Sequence, residues 1–266
     1  MEQFERPRLK SSAAAEGATM QAVGRIKEVW TYPVSSVGGQ KQERLVVAPG
    51  GIAEDRRFAL FDAETGLAAA PEREPRWRPA LFMEANSSSA TAMPQLHFPG
   101  GERFWLDDPT LNAKLEAYFG FSVRVGYYAS KAVHADIRFP ITSNRYEPAA
   151  LHVVTTSSLA ALGAILGSSE LDARRFRPSI LIDTDGMEGF IENDWVGNLL
   201  FVGNNPISVT EPARRCGMTM IAQPGLEENP DILRSIMRHN KRHLGVYAEV
   251  GQEITLRPGD LVYAET

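Results

Sequence analysis

The 266-residue chain has a single cysteine, Cys216, and that scarcity excludes a good deal. No intramolecular disulfide can form, and no four-cysteine zinc or iron–sulfur site can be assembled. Any electrons the protein uses must come from a bound cofactor or a partner. Long apolar runs are missing too: nothing approaches the ~20 residues needed to cross a bilayer, and the N-terminus lacks the apolar region of a secretory signal. A cytoplasmic protein without membrane contact is expected. Positive charge is not in excess, since 28 Lys and Arg stand against 33 Asp and Glu for a formal net charge of -5. That argues against a nucleic-acid partner held by phosphate attraction, while leaving room for a local basic pocket for a small anion. There is no P-loop, no G-x-G-x-x-G, no G-x-S-x-G elbow and no C-x-x-C pair.

What is present describes an ordinary globular protein, 43% hydrophobic and 23% charged, long enough for one large domain or two modest ones. Residues 1–19 are polar and alanine-rich and read as a disordered extension ahead of Met20. Beyond them the dominant period is two, the spacing of strands. Strands are predicted at 23–32, 44–48, 57–62, 80–86 and 122–128, with a hairpin at 96–106 turning on Pro99-Gly100-Gly101. A helix is predicted from Asp108 to Gly120, started by Pro109 and stopped by the glycine. The passage 129–150 is polar, proline-punctuated and aperiodic, and we place a domain junction there.

In the second half, strands are predicted at 151–154, 179–183, 199–202, 207–210, 244–250, 254–256 and 261–263, with helices at 157–166 and from Pro230 onward. The later helix ends in Arg238, His239, Lys241, Arg242 and His243, cations suited to the negative end of a helix dipole. Many short strands and few helices predict a mainly β (α+β) protein: an N-terminal β-barrel domain at 20–128, a junction at 129–150 and a second barrel domain at 151–266.

Cys216 follows two arginines in Glu211-Pro212-Ala213-Arg214-Arg215-Cys216-Gly217-Met218-Thr219. Guanidinium charge favours a thiolate, the form that attacks and binds metals. A lone cysteine is equally readable as a small buried hydrophobe, and the residues alone leave both open. His239 and His243 have metal-compatible i, i+4 spacing, but without an H-E-x-x-H pattern the helix-end reading is preferred. The acidic run Asp183, Asp185, Glu188, Glu192 and Asp194 lacks the EF-hand ligand order and reads as a solvated loop.

Taken in order, Tyr32-Pro33-Val34-Ser35-Ser36, Asp55-Arg56-Arg57-Phe58, Arg175-Phe176-Arg177-Pro178-Ser179, Glu192 with Trp195, Arg215-Cys216 with Thr219, and Gly245-Val246-Tyr247-Ala248 resemble the MOSC family. These are the relatives of the molybdenum cofactor sulfurase C-terminal domain, here with the N-terminal β-barrel domain of the amidoxime-reducing group. The resemblance covers residue 21 to the C-terminus. It implies a site between the two domains that holds a molybdopterin cofactor, with Cys216 as the metal ligand and catalytic centre. Arg56, Arg177, Arg215, Ser36 and Ser158, with Thr155 and Ser179 as lesser additions, are the implied cofactor-binding residues; a planar guanidinium can give two hydrogen bonds to one phosphate. From residue type alone, Ser36 is a turn former and Ser158 a residue of a helix's first turn.

Two departures stand out. Ser35 occupies the position where the amidoxime-reducing group carries a lysine, and Gly217-Met218-Thr219-Met220 runs on without that group's Asp-Pro. The implied activity is reduction of an N-hydroxylated or N-oxide small-molecule substrate, with electrons from an external electron-transfer protein. Two alternatives stand beside it: a sulfur carrier in cofactor maturation, taking a persulfide on Cys216 from a partner desulfurase that holds pyridoxal phosphate, and a non-catalytic pterin-binding module.

Overall fold

The computed structural model describes residues 20–53, 55–87, 93–128, 139–142, 149–168, 171–184 and 186–265. The expected extension at 1–19 and most of the expected junction at 129–150 lie outside these residues. Seven strands close into a barrel in the order Met20–Thr31, Ile180–Asp183, Leu151–Thr155, His243–Val250, Asn205–Arg214, Leu199–Val202 and Leu261–Glu265, the last pairing back onto the first. All neighbours are antiparallel except Leu151–Thr155 with Ile180–Asp183, a parallel pair that needs a crossover. That crossover contains the helix Thr156–Leu166. Alternate side chains of the staves point inward, and the core includes Val29, Val153, Ile180, Val209, Val246 and Val262, the period-2 apolar pattern doing what it predicts.

The first stave is the surprise. Met20–Thr31 pairs with Ile180–Asp183 and Leu261–Glu265, so the barrel of the C-terminal half is closed by the N-terminal strand. Gly24 lets the seam close, since a Cβ there would lie 2.1 Å from the Asp183 carbonyl oxygen. Further on, Leu45–Val47 pairs with Ile254–Leu256, and Leu45, Val47 and Ile52 are buried in the same core. The chain therefore visits the barrel twice in its first 52 residues, with Val34–Ser35 contributed to the other unit in between.

That unit has its own core, including Val34, Phe58, Trp77, Leu96, Leu115 and Tyr127. Around it lie a four-stranded sheet, ordered Ile141–Thr142, Val123–Tyr128, Phe58–Asp62, Val34–Ser35, and a three-stranded sheet, Glu84–Asn86, Gln95–His97, Arg103–Trp105. The helix Leu111–Phe119 ends at left-handed Gly120 as its sequence dictates. Phe139 is buried here and Ile141–Thr142 pairs with Tyr127–Tyr128, so this core reaches into the passage read as a junction. One predicted strand is corrected: the first three residues of 80–86 belong to a 3-10 helix, Pro75–Phe82, and only Glu84–Asn86 is a strand. Pro75 and Pro79 remove the donors a ladder needs, while Trp77, Ala80 and Leu81 turn inward. Among the described residues no helix is long and apolar enough to cross a membrane.

Candidate functional site

Cys216 stands where the strand Asn205–Arg214 leaves the barrel. It immediately precedes a 3-10 turn, Gly217–Met220, and Thr219 Oγ1 donates to its carbonyl at 3.0 Å. The buried guanidinium of Arg175 donates from below to the carbonyls of Thr219 and Ile221 at 3.4 and 3.3 Å. A Cβ at Gly217 would meet the Glu72 side chain at 3.4 Å, so this turn rests against the N-terminal unit. Cys216 itself is exposed, which removes the buried-hydrophobe reading.

Arg177, Arg56 and Arg215, the residue before Cys216, gather around Tyr32. Arg177 donates from Nη1 to the Val37 carbonyl at 2.7 Å, tying the barrel to the other unit. Its guanidinium lies 4.2 Å from the centre of the Tyr32 ring, and that of Arg56 lies 5.3 Å from it. Arg56 forms an ion pair with buried Asp55, which also accepts from the Tyr32 backbone N–H at 2.8 Å. Arg215 donates from Nη2 to the Phe176 carbonyl at 2.7 Å. Burial lowers Arg215's hold on its proton, Arg56 adds to the effect, and Tyr247, Cys216 and Tyr32 oppose it. Three guanidinium groups thus share a site with Asp55, which pairs with Arg56, and Asp172 within electrostatic reach of Tyr32, an arrangement in which cations outnumber the carboxylates among the described residues and which favours an anion.

Buried donors at this site with no hydrogen-bond partner among the described residues include Nε of Arg215 and the hydroxyl of Tyr32. Burial raises the Tyr32 pKa, keeping that hydroxyl protonated as a donor. Unsatisfied buried donors cost roughly 1–3 kcal/mol each, and in a native fold they ask for a ligand or water.

Backbone strain points to the same place. Ser36, Arg56, Arg177, Lys241 and Arg242 are the non-glycine residues with positive φ among those described, at 64°, 49°, 52°, 50° and 73°. Such conformations cost roughly 1–3 kcal/mol each and collect at functional sites. Three of these residues are ones the family resemblance singled out; Arg242 donates from Nε to the Arg215 carbonyl at 2.8 Å and accepts from the Arg215 N–H at 2.9 Å.

His152, which sequence reasoning missed, lies beneath this cluster. It is buried, its Nε2 stands 3.3 Å from Arg215 Nη1, and its Nδ1 stands 3.3 Å from the Arg177 carbonyl. Burial, reinforced by the charge of Arg215, holds its pKa well below the ordinary value, so the ring is neutral. A guanidinium can only donate, so Nε2 must accept and Nδ1 carries the proton. Nε2 is also 3.4 Å from the Leu244 carbonyl, a contact that cannot be a hydrogen bond in this tautomer. Glycine at 245 is required: a Cβ there would lie 2.7 Å from His152 Nε2 and 2.5 Å from the Val153 carbonyl oxygen. Nothing in the apolar strand around His152 signalled this role.

The hydroxyls are placed otherwise than expected. Thr155 and Ser158 do not join the arginines: Thr155 Oγ1 and Ser158 Oγ donate to Glu192 Oε2 at 2.7 and 2.6 Å, fully buried. Glu192 Oε1 accepts from the Gly245 N–H at 3.1 Å, and Thr155 caps the helix Thr156–Leu166 through the Ser158 N–H. A buried carboxylate with no ion pair among the described residues needs these donors, which explains why they are spent there. Ser36 Oγ donates to the Ala69 carbonyl at 3.0 Å, and Ser179 Oγ accepts from the His152 N–H at 3.3 Å. These serines hold the frame of the site. Among the described residues no group of three or more His, Cys, Asp or Glu side chains could hold a bare metal ion, so a metal at Cys216 would bring its other ligands with it.

Two family models agree with this architecture. A family model described as the MOSC domain matches residues 143–263, and one described as the MOSC N-terminal beta barrel domain matches residues 23–107. Among solved structures, the YuaD protein from Bacillus subtilis is similar at 11% identity, covering 94% of this chain and 98% of that chain with a TM-score of 0.49. YiiM from Geobacillus stearothermophilus is similar at 19% identity over 44% of this chain and 54% of that chain, with a TM-score of 0.34. No curated protein matches the chain. With its strand-closed barrel, its second β unit and both family models matched in order, the chain belongs to the MOSC family, which is linked to molybdenum cofactor sulfurase-like proteins.

Proposed function

We propose that the protein is a molybdopterin-dependent oxidoreductase that reduces N-hydroxylated or N-oxide small molecules, with Cys216 as the protein ligand to the metal. The observation that carries this reading is the exposed thiol beside a buried, unpartnered Arg215 Nε, next to Arg56 and Arg177. A soft sulfur donor suits molybdenum, and guanidinium groups suit a pterin phosphate. The residues present fit the group: Arg215 Nε and the Tyr32 hydroxyl are donors in need of acceptors, and the lack of a multi-residue metal cluster among the described residues suits a metal that arrives with ligands of its own. When bound, the cofactor supplies a metal that changes oxidation state by two electrons and accepts an oxygen atom.

The chain's own residues do the rest. Arg56 and Arg177 clamp the Tyr32 ring and fix the direction of its hydroxyl, while Arg215, held by His152 and the Phe176 carbonyl, offers Nε toward an anion. Arg175 sets the height of the Cys216 turn. Ser35 cannot replace the charge of a lysine, so the arginines carry the phosphate alone.

The test is elemental analysis of protein expressed in a host that makes the cofactor. One molybdenum per chain in the wild type, lost in Cys216→Ser at unchanged melting temperature, is the expected result. Wild type without molybdenum or pterin overturns the reading. The exposure of Cys216 also suits a sulfur carrier; a mass increase of one sulfur atom on Cys216 after incubation with a pyridoxal-phosphate desulfurase and cysteine, without molybdenum uptake, would establish that role instead.

A further inference from the structure

The segment that buttresses Arg215 carries more positive charge than the site uses. The helix Pro230–His239 ends in Arg238 and His239. The chain then turns through Lys241 and Arg242 to His243, whose strand position stands opposite Arg214. Arg214, Arg238, His239 and Lys241 are exposed. Among the described residues none of these four, nor His243, makes a side-chain hydrogen bond or ion pair. A helix dipole is served by a cation in its last turn, here Arg238; Lys241, Arg242 and Arg214 lie beyond it.

Composition does not explain the patch, because the chain as a whole carries a formal charge of -5. Backbone economy does not explain it either. Lys241 and Arg242 are both left-handed, at φ 50° and 73°, in a helix-terminating turn where glycine or asparagine is the less strained choice. Two long cations are held where a small residue would fit better, and strain of this kind marks function. The patch also adjoins the candidate site, since Arg242 and Arg215 exchange hydrogen bonds of 2.9 and 2.8 Å and Cys216 is the next residue.

We propose that this face, formed by Arg214, Arg238, Lys241, Arg242 and His243, docks a small electron-carrier protein with a carboxylate-rich surface; the partner's redox role rests on the function proposed above, its acidity on the patch alone. A one-cysteine chain holds no iron–sulfur ligand set, so a carrier must approach the exposed Cys216. Opposite surface charge steers such encounters and leaves them weak and salt-dependent.

The test measures binding of an oxidised acidic [2Fe–2S] ferredoxin to the full chain by calorimetry, at low ionic strength and again in 0.3 M salt, about which surface attraction is strongly screened. Expected are binding at low salt, at least tenfold weakening in Arg238→Glu/Lys241→Glu, the same loss in high salt, and no change in Arg103→Glu on the N-terminal sheet. Absence of binding, or equal loss in the Arg103 variant, overturns the proposal. So does a short DNA duplex that binds the patch as tightly, which would make it a general polyanion surface. Molybdenum content, measured on the same samples, separates the two claims: metal without ferredoxin binding sinks the docking face, and patch-dependent binding without metal sinks the proposed function while the docking face stands.

Discussion

His152 accepts a hydrogen bond on Nε2 from Arg215 Nη1 at 3.3 Å while its Nδ1 faces the Arg177 carbonyl at 3.3 Å, so one neutral ring positions two of the three arginines. His152→Ala would leave an arginine donor and a backbone carbonyl buried without partners. We expect a loss of about 1–3 kcal/mol in stability and a fall of tenfold or more in cofactor retention. His152→Gln, which can present both an acceptor and a donor, should recover part of each. Urea unfolding and molybdenum content measured together check this; unchanged retention in His152→Ala removes its positioning role.

Protonation of His152 also sets a pH limit. Its folded pKa is well below 6.5, whereas in the unfolded chain it titrates near its ordinary value. Below about pH 6.5 the unfolded chain therefore takes up a proton that the folded one refuses, and stability falls with pH until the folded value is reached. Glu192 acts in the opposite sense. Burial raises its pKa above 4.5 despite hydrogen bonds from Ser158, Thr155, Gly245 and its own backbone, so its contribution is full below 4.5 and is lost as pH rises through the folded value. Glu192→Gln should flatten that second slope. Glu192→Ala, which removes the acceptor of the Thr155 and Ser158 hydroxyls and of the Gly245 N–H, should cost about 3 kcal/mol. Denaturant midpoints across pH 4–8 distinguish the two variants.

Tyr32→Phe separates ligand binding from folding. The hydroxyl it removes has no partner among the described residues, while the ring keeps its place against Arg177 and Arg56. Thermal unfolding should change by less than about 1 kcal/mol, or improve, because a desolvated donor is deleted. Pterin and molybdenum retention should drop. A large stability loss with retention intact would mean that the hydroxyl has a structural partner instead.

Much of the fold was legible because it is local. The 3.6-residue period and the capping residues gave the helices ending at Gly120 and beginning at Pro230, and the period-2 runs gave most strands. The 80–86 segment misled because its apolar residues suit either structure, and only the spacing of Pro75 and Pro79 argued for a 3-10 helix. The arginines and Cys216 could be found through the ordered motifs. His152 could not, since one histidine in an apolar strand has no pattern around it. That Thr155 and Ser158 donate to Glu192 could not be read either, because Glu192 is 34 or more residues away in sequence. Pairing of the first strand with the last is likewise non-local, and no window of sequence contains it.

That closure makes the N-terminal strand part of the MOSC barrel, with a consequence for truncation. A fragment of residues 151–266 would lack the stave Met20–Thr31 and expose the edges of Ile180–Asp183 and Leu261–Glu265. It would also lose Val23, Ile26, Val29, Leu45, Val47 and Ile52 from the core. At ~1.5–3 kcal/mol per buried aliphatic side chain, the deficit matches or exceeds the ~5–15 kcal/mol that usually separates folded from unfolded chains. Open edges add a route to aggregation. We expect the fragment to be unfolded or aggregated by circular dichroism and light scattering, and a fragment co-expressed with residues 20–52 to regain a cooperative transition. If residues 151–266 alone melt cooperatively, the first strand is an accessory to the barrel, and the segment up to Ile52 contributes far less than its burial implies.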